Sequence, residues 1–310
     1  MDTGTRPAEY WPELRYEDFA PTMKLLHMGL QMVGKLMLRK PFEPHWAHVV
    51  LGLTSSGLTS GPIPWDAGAF TVDADFGAHE IVVAPSWGSS QTFELGPMSV
   101  ADWHDRFFAA LSRSGIEATI NQNPQEVPDG VPFGADTALR PYDRALVDVW
   151  FRALQSSAAA MRRYQACFRG DTPGIGFMWG TFDLRDLRIG RPAEPQLAAA
   201  AAGRDGGEGQ VMSGWWPGGP SYPRAAYYSF IDPRPPGIDT ATLEPTAARW
   251  DARLGEFLLD YDDARTAADP EATVLAFLDS AYAAGASRAG WDPALVCTAR
   301  PGRMPEGVAP

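Results

Sequence analysis

The chain has 310 residues, a net charge of −12 at pH 7 and a hydrophobic content of 45%. A sizeable core can therefore form, in one large domain or two small ones. The acidic balance argues against binding to nucleic acid or to anionic lipid, because both need a basic face. No apolar run is long enough to span a membrane. The two cysteines, Cys167 and Cys297, form no metal motif and no disulfide framework, which favours a cytoplasmic protein.

Hydrophobic periodicity in the first half predicts a long helix over residues 22–38, followed by an antiparallel meander. Ser99 and Asp102 have the spacing of a capping box and should open a second helix. Residues 116–120 are a further candidate strand. The meander is predicted to contain strands over residues 48–54, 69–76, 79–84 and 91–95.

The second half begins after a connector rich in Pro, Gly and Asn, residues 121–141. Asp143 is predicted to cap a long helix, and Asp269 a last helix that starts with proline. The low-complexity segment 198–210 is predicted to be a loop, and the tail from about residue 301 to be flexible. Strands are predicted over residues 176–189 (one long strand or a hairpin), 225–231 and 256–259.

This order of elements predicts an α+β fold, with an antiparallel sheet or sheets flanked by long helices. The two halves, about residues 10–121 and 141–293, repeat the order of long helix, strands and shorter capped helix. One hypothesis is an internal pseudo-duplication whose halves superpose, and chance recurrence of a common order is the alternative. We expect the whole chain, residues 1–310, to be a single domain.

The most distinctive polar pattern lies on the otherwise apolar first helix. His27, Gln31 and Lys35 are four residues apart, so their side chains share one helix face. An imidazole, an amide and an ammonium in a row would suit a polar ligand, although a solvated helix face has the same appearance. Burying an unpaired ammonium is costly, so we expect Lys35 to face a pocket and to meet a carboxylate or an anionic ligand.

A second set of titratable residues is expected on the predicted sheet. Asp73 and Asp75 share one strand face, where paired carboxylates can move protons or bind a cation, and a solvated sheet face is the alternative. His48 would begin the preceding strand. His45 and His48 would diverge there, so they are not expected to share a metal, and folding should need no tightly bound transition metal. A metal held by His48 with Asp73 or Asp75 is the alternative. The candidate general base is His27 or His48, oriented by Asp73 or Asp75.

Candidate substrate-binding residues also lie in the second half. Trp215 and Trp216 precede a Pro-Gly-Gly turn and are expected to wall a pocket, unless one of them only anchors a loop. Tyr261 and Arg265 follow a predicted strand. Arg265 would hold a carboxylate or phosphate together with the lysine of the first helix, or else pair with a neighbouring Asp.

Standard cofactor-binding and nucleophile motifs are absent from the sequence. It contains no G-x-G-x-x-G after a strand, no G-x-x-x-x-G-K-[ST] and no G-x-S-x-G. A cofactor therefore stays unknown.

Several longer motifs carry a family resemblance. They are W-P-E-L-x-Y at residues 11–16, L-H-x-x-x-Q-x-V-G-K at 26–35, H-W-x-H-V at 45–49, W-G-T-F-D-L at 179–184, W-P-G-G at 216–219 and E-F-L-L-x-Y-x-x-x-R at 256–265. Together they resemble the bacterial domain of unknown function 5996 family, over about residues 10 to 293. The resemblance implies one family-length domain and no particular activity, substrate or cofactor.

The number of polar residues inside these motifs favours a small-molecule site. Our first hypothesis is an enzyme that acts by acid/base chemistry on a polar or anionic metabolite. Secondary metabolism is one pathway class in which such an enzyme would act. The alternatives are a non-catalytic binding or sensor protein with a Trp-walled pocket, and an interaction module without a pocket. Pocket geometry should separate them. Homo-oligomerisation stays open.

Overall fold

The computed structural model describes residues 10–66, 68–128, 130–191, 208–298 and 300. It confirms the α+β class, with two antiparallel six-stranded sheets and several helices. The chain forms two compact units. Unit 1 comprises residues 1–156, 176–185 and 215–226, and unit 2 comprises residues 157–175, 186–214 and 227–310.

Helix α1 (Tyr16–Met37) forms much of the core of unit 1. From Leu25 to Met37 every residue except His27 is buried. Two glycines allow indole rings to approach this helix closely. A Cβ added to Gly29 would lie 2.2 Å from the Trp103 ring, and one added to Gly34 would lie 2.1 Å from the Trp179 ring.

The first sheet lies in unit 1 and has the order β1-β2-β4-β5-β6, with β3 paired to β4. Strand β4 confirms the predicted alternation, with Phe70, Val72 and Ala74 buried. The strand expected over residues 48–54 is wrong at its start, where Pro44–Val49 forms a 3-10 turn. The strands are β1 (Gly52–Leu53), β2 (Gly57–Thr59), β3 (Ile63–Trp65), β4 (Gly68–Asp75), β5 (Glu80–Pro85) and β6 (Gln91–Glu94).

Helix α2 (Val100–Arg113) begins at the predicted capping box. The Ser99 side chain accepts a hydrogen bond from the Asp102 backbone, and the Asp102 carboxylate accepts one from the Ser99 backbone. These bonds satisfy two N–H groups that a helix start leaves unpaired. The candidate strand over residues 116–120 is wrong, because that segment has no regular structure.

Helix α3 (Arg144–Gln165) starts where predicted, with Asp143 Oδ1 accepting from the Leu146 N–H at 3.2 Å. The predicted segment 176–189 is a hairpin rather than one strand. The strands of the second sheet are β7 (Gly176–Met178), β8 (Asp183–Gly190), β9 (Gly209–Trp216), β10 (Ala226–Asp232), β11 (Arg249–Asp251) and β12 (Glu256–Asp260), in the order β11-β12-β10-β9-β8-β7.

Two further helices follow, α4 (Tyr261–Arg265) and α5 (Pro270–Arg288). Asp269 caps α5 as predicted, accepting from the Ala272 N–H. Thus the succession of long helix, six-stranded antiparallel sheet and shorter capped helix occurs twice along the chain. Superposition of the two halves stays a prediction. The expected flexible tail, and residues 198–207 of the expected loop, lie outside the described residues.

A disulfide joins Cys167 and Cys297, with 5.1 Å between their Cα atoms. The expectation that these cysteines form no disulfide is therefore wrong. Their separation of 130 residues along the sequence does not measure their distance in the fold. Within the described residues, no helix has the length and apolar character needed to cross a membrane.

Candidate functional site

Two side chains of the predicted helical stripe fasten loops to helix α1. The Gln31 amide oxygen accepts from the Gln125 N–H at 2.7 Å, and its nitrogen donates to the Gln125 carbonyl at 2.8 Å. His27 Nε2 lies 2.8 Å from the Gly180 carbonyl oxygen, in the turn between β7 and β8. Both residues therefore position loops. A catalytic role for His27 and a substrate-binding role for Gln31 stay predictions.

The contacts of His27 assign its tautomer. A carbonyl oxygen only accepts, so Nε2 carries the proton that it donates to Gly180. The Gln31 amide nitrogen, 3.1 Å from the same Nε2, has an acceptor of its own in Gln125. Burial lowers the pKa of His27, although the carbonyls of Gly180 and Trp179 raise it. The imidazole is thus neutral at pH 7.

Lys35, one turn further along the stripe, is buried and has no anionic partner among the residues that the structure describes. It is 8% exposed, and the centroid of the Phe133 ring lies 5.8 Å from its Nζ. Across the described ranges, no carboxylate comes within ion-pair distance of this ammonium. Burial lowers its pKa. Lys35 is therefore shielded from bulk water, and no carboxylate partner occurs among the described residues. The expected pocket and anionic ligand stay predictions.

His48 belongs to an aromatic cluster in the 3-10 turn rather than to a strand. Its Nδ1 accepts from the Glu43 N–H at 3.3 Å. Its ring stacks on Trp46, with 5.7 Å between centroids, and meets the edge of Phe42 at 5.3 Å. His45 and Trp46 both have a φ of 59° and so turn the backbone out of the strand. A general-base role for His48 stays a prediction.

Asp73 and Asp75 share a face of β4, as predicted, but their carboxylates accept bonds from different groups. Asp73 Oδ2 accepts from the Thr71 hydroxyl at 3.2 Å. Asp75 accepts from the Ser56 hydroxyl at 3.0 Å and from the Ala78 N–H at 2.8 Å, and so holds two turns. Strand β2 lies between β1 and β4, so the strand expected to carry His48 is not the neighbour of this face. The catalytic role of the two carboxylates stays a prediction.

Trp215 and Trp216 end strand β9, directly before the Pro-Gly-Gly segment. Trp215 is fully buried, which fits the alternative that one indole serves as an anchor. Trp216 is partly exposed, and its Nε1 donates to the Arg224 carbonyl at 3.4 Å. A pocket-wall role for the pair stays a prediction.

Tyr261 and Arg265 lie in unit 2, at the two ends of helix α4. Tyr261 is buried, with 6.3 Å between its ring centroid and that of Tyr227. Arg265 forms an ion pair with Asp262, three residues earlier on the same helix, as in the alternative considered above. Their role in binding a substrate stays a prediction.

A row of polar side chains that the sequence does not single out crosses unit 1. The Tyr142 hydroxyl lies 2.9 Å from His79 Nδ1, and His79 Nε2 lies 3.5 Å from Asp148 Oδ1. A carboxylate only accepts, so the proton belongs on Nε2, and Nδ1 then accepts from the phenol. His79 is buried and has a φ of 53°, an unusual conformation that is often found at functional sites. We call these three residues the Tyr–His–Asp row.

The row borders a cavity of about 340 Å³ whose wall includes Tyr142. Two arginines, Arg106 and Arg144, line the same cavity. Arg144 forms an ion pair with Glu94, also in the wall. Arg106 is exposed and, in the part of the chain that the structure describes, forms no ion pair. The cavity therefore has a positive group available to an incoming anion.

The environment sets the protonation states of the row. Burial lowers the pKa of His79, Asp148 raises it and Arg144 lowers it, so the imidazole is neutral at pH 7. Burial raises the pKa of Tyr142 far above its ordinary value, so the phenol keeps its proton. A neutral imidazole that accepts from a phenol can take the phenol's proton when the phenol oxygen receives another one.

No local pattern could have identified this row, because 63 residues separate His79 from Tyr142. The sequence offered weaker signals: a histidine that begins a predicted strand, an arginine inside the helix opened by Ser99, and another arginine directly after Asp143. Among the contacts of the described residues, none joins His27 or His48 to Asp73 or Asp75. Nor do the described residues contain a group of three or more potential metal ligands.

The chain matches one family model over most of its length. The model described as a family of unknown function (DUF5996) matches residues 11–297. No curated protein and no solved structure matches the chain.

Proposed function

Because the chain belongs to the DUF5996 family of unknown function, which prescribes no reaction, we propose a function from its own site: acid/base catalysis on a small anionic metabolite. The observation that carries this proposal is the Tyr–His–Asp row beside a cavity with two arginines. It retains the reaction class expected from the sequence and assigns it to different residues.

The arginines would hold the substrate. A carboxylate or phosphate matches the fork of N–H donors on a guanidinium. Arg106, which forms no ion pair with another described residue, would make such a contact, and Arg144 would exchange part of its contact with Glu94 for the substrate. The cavity, at about 340 Å³, suits a small metabolite rather than a polymer.

The row would move one proton. The Tyr142 oxygen takes a proton from a carbon or heteroatom of the substrate while its own proton passes to His79 Nδ1. His79 becomes an imidazolium, which the Asp148 carboxylate stabilises at 3.5 Å. The phenol never has to exist as a free phenolate, which its burial would disfavour. Returning the proton to another atom of the substrate completes the cycle.

Deuterium exchange tests this proton transfer with a range of candidate substrates at once. The protein is incubated in D2O with a panel of small carboxylates and phosphate esters, and deuterium incorporation is followed by mass spectrometry. We expect exchange in at least one compound. Tyr142→Phe should slow it by roughly 100-fold or more, the usual contribution of a positioned acid or base. Tyr10→Phe, at an exposed tyrosine, should leave it unchanged.

Anion binding is measured separately, by titrating inorganic phosphate into the wild type, Arg106→Met and the exposed control Arg162→Met. Only Arg106→Met should weaken binding. Phosphate binding without deuterium exchange would make the protein a non-catalytic binding protein, the alternative considered from the sequence. Exchange that survives Tyr142→Phe would contradict the proposed role of the row.

A further inference from the structure

Unit 2 contains a second cavity, of about 470 Å³, that the proposed function does not use. Its walls come from the second half of helix α5 and from the wall segment that follows it, residues 291–298 together with Arg300. This volume lies in the range of sites for drug-sized ligands. The segment is tied down at several points, so the cavity is a built feature of unit 2.

Three kinds of contact hold the wall segment. The Cys167–Cys297 disulfide is part of the wall, and the Cys297 N–H donates to the Cys167 carbonyl at 2.9 Å. Arg300 forms an ion pair with Asp279 of helix α5. The Asp292 carboxylate accepts from the Ala294 N–H at 2.8 Å and starts the short turn Pro293–Leu295. A wall fixed in this way needs little ordering when a ligand enters.

The cavity lining combines aromatic rings with a negative balance of charge. Trp291 and Tyr282 meet edge to face, with 6.0 Å between centroids, and both line the cavity. Of the charged lining residues, Asp279 and Arg300 neutralise each other, so Asp292 leaves one negative charge. The Tyr282 ring also faces the buried guanidinium of Arg188, 4.8 Å from its centroid, and Asp186 balances that charge. The remaining negative charge and the carboxyl end of helix α5 both favour a cation over an anion.

We propose that this cavity is a binding site for an aromatic amine. The ring of the ligand lies against Trp291 and Tyr282, and its ammonium points toward the exposed Asp292 carboxylate. A ligand with a carboxylate in place of the ammonium is disfavoured by the same charge. The site lies within unit 2 and is independent of the arginine-lined cavity of unit 1.

The probe is tryptamine, titrated into the full chain by calorimetry, with 3-ethylindole as its uncharged analogue and indole-3-propionate as its anionic one. We expect saturable binding in the order tryptamine, 3-ethylindole, indole-3-propionate. Asp292→Asn keeps an acceptor for the Ala294 N–H and removes the charge. It should weaken the binding of tryptamine by about 2- to 5-fold, as expected for a partly exposed ion pair. The affinity for 3-ethylindole should stay unchanged.

A second variant tests the location. Ala283 lines the cavity from an exposed position on α5, so Ala283→Leu should occlude the cavity without disturbing the core and weaken tryptamine by about 10-fold or more. Ala272→Leu, at an exposed position of the same helix away from the cavity, is the matched control. Undetectable tryptamine binding, equal affinity for the three indoles, or binding unaffected by Ala283→Leu would each overturn the proposal.

Discussion

At the scale of single residues, the three lysines of the chain occupy three environments. Lys24 is exposed on helix α1, and Lys40 donates to the Ser60 carbonyl. Lys35 is buried on helix α1, with no anionic partner in the described part of the chain. The sequence predicted the burial of Lys35 from the apolar residues around it. It could not predict that no described carboxylate pairs with this ammonium, because the partner of a buried charge comes from other parts of the chain.

Lys35→Met should stabilise the protein in the absence of ligand. An apolar side chain of similar length removes the cost of burying an amine, and we expect a gain of about 1–3 kcal/mol in the free energy of unfolding. Burial lowers the pKa of Lys35, so the unfolded chain binds more protons between that lowered value and about 10.4. Wild-type stability should therefore rise with pH in this range, and the variant should lose that part of the rise.

Urea unfolding at several pH values measures both effects. Lys24→Met, at the exposed lysine of the same helix, is the control and should change stability by less than about 0.5 kcal/mol. A loss of stability in Lys35→Met larger than in the control would show that the ammonium has a stabilising partner after all.

At the scale of elements, local patterns were reliable where local forces decide the structure. The alternation of β4 and the capping bonds of Ser99 and Asp269 depend on residues a few positions apart, and all were predicted. The start of the strand at residue 48 was wrong, because left-handed backbone at His45 and Trp46 leaves no sequence pattern. The contact of Gln31 with the loop residue Gln125 was missed as well, because the two residues are far apart in the sequence and form no local pattern.

The packing of helix α1 against the turn after β7 gives an element-scale prediction. A Cβ on Gly34 would lie 2.1–2.2 Å from the Trp179 ring, so Gly34→Ala must displace an indole that is itself bonded to the Val49 carbonyl. We expect a loss of about 1–3 kcal/mol in the free energy of unfolding. Gly219→Ala, where no atom lies within 4 Å of the added carbon, should be nearly neutral. Equal stabilities of the two variants in urea would contradict this packing.

At the scale of the whole molecule, the family match and the α+β class agree with what the sequence predicted. The residues of the candidate site, in contrast, do not belong to any one sequence motif. The Tyr–His–Asp row and the disulfide both join residues far apart in the chain, and only the fold brings such residues together. The cytoplasmic location stays a prediction. A disulfide is uncommon in reducing compartments, so its oxidation state in cells bears directly on that prediction.

Removing the disulfide should lower stability substantially. A bond that closes a loop of this length restricts the unfolded chain, and its loss should cost roughly 3–5 kcal/mol in the free energy of unfolding. Unfolding of the wild type with and without reductant measures this difference. The double variant Cys167→Ser/Cys297→Ser should match the reduced wild type and should not respond to reductant. Identical curves for oxidised and reduced wild type would contradict a stabilising bond.

The same bond gives the chain an unusual connectivity, because residues 167–297 form a closed covalent ring from which residues 1–166 and 298–310 extend as two arms. Cutting the polypeptide once inside the ring opens it without releasing a fragment, whereas cutting an arm always releases one. A protease digest run on a gel without reductant should therefore hide every single cut inside the ring. Adding reductant should reveal those cuts as pairs of new bands whose masses sum to that of the parent.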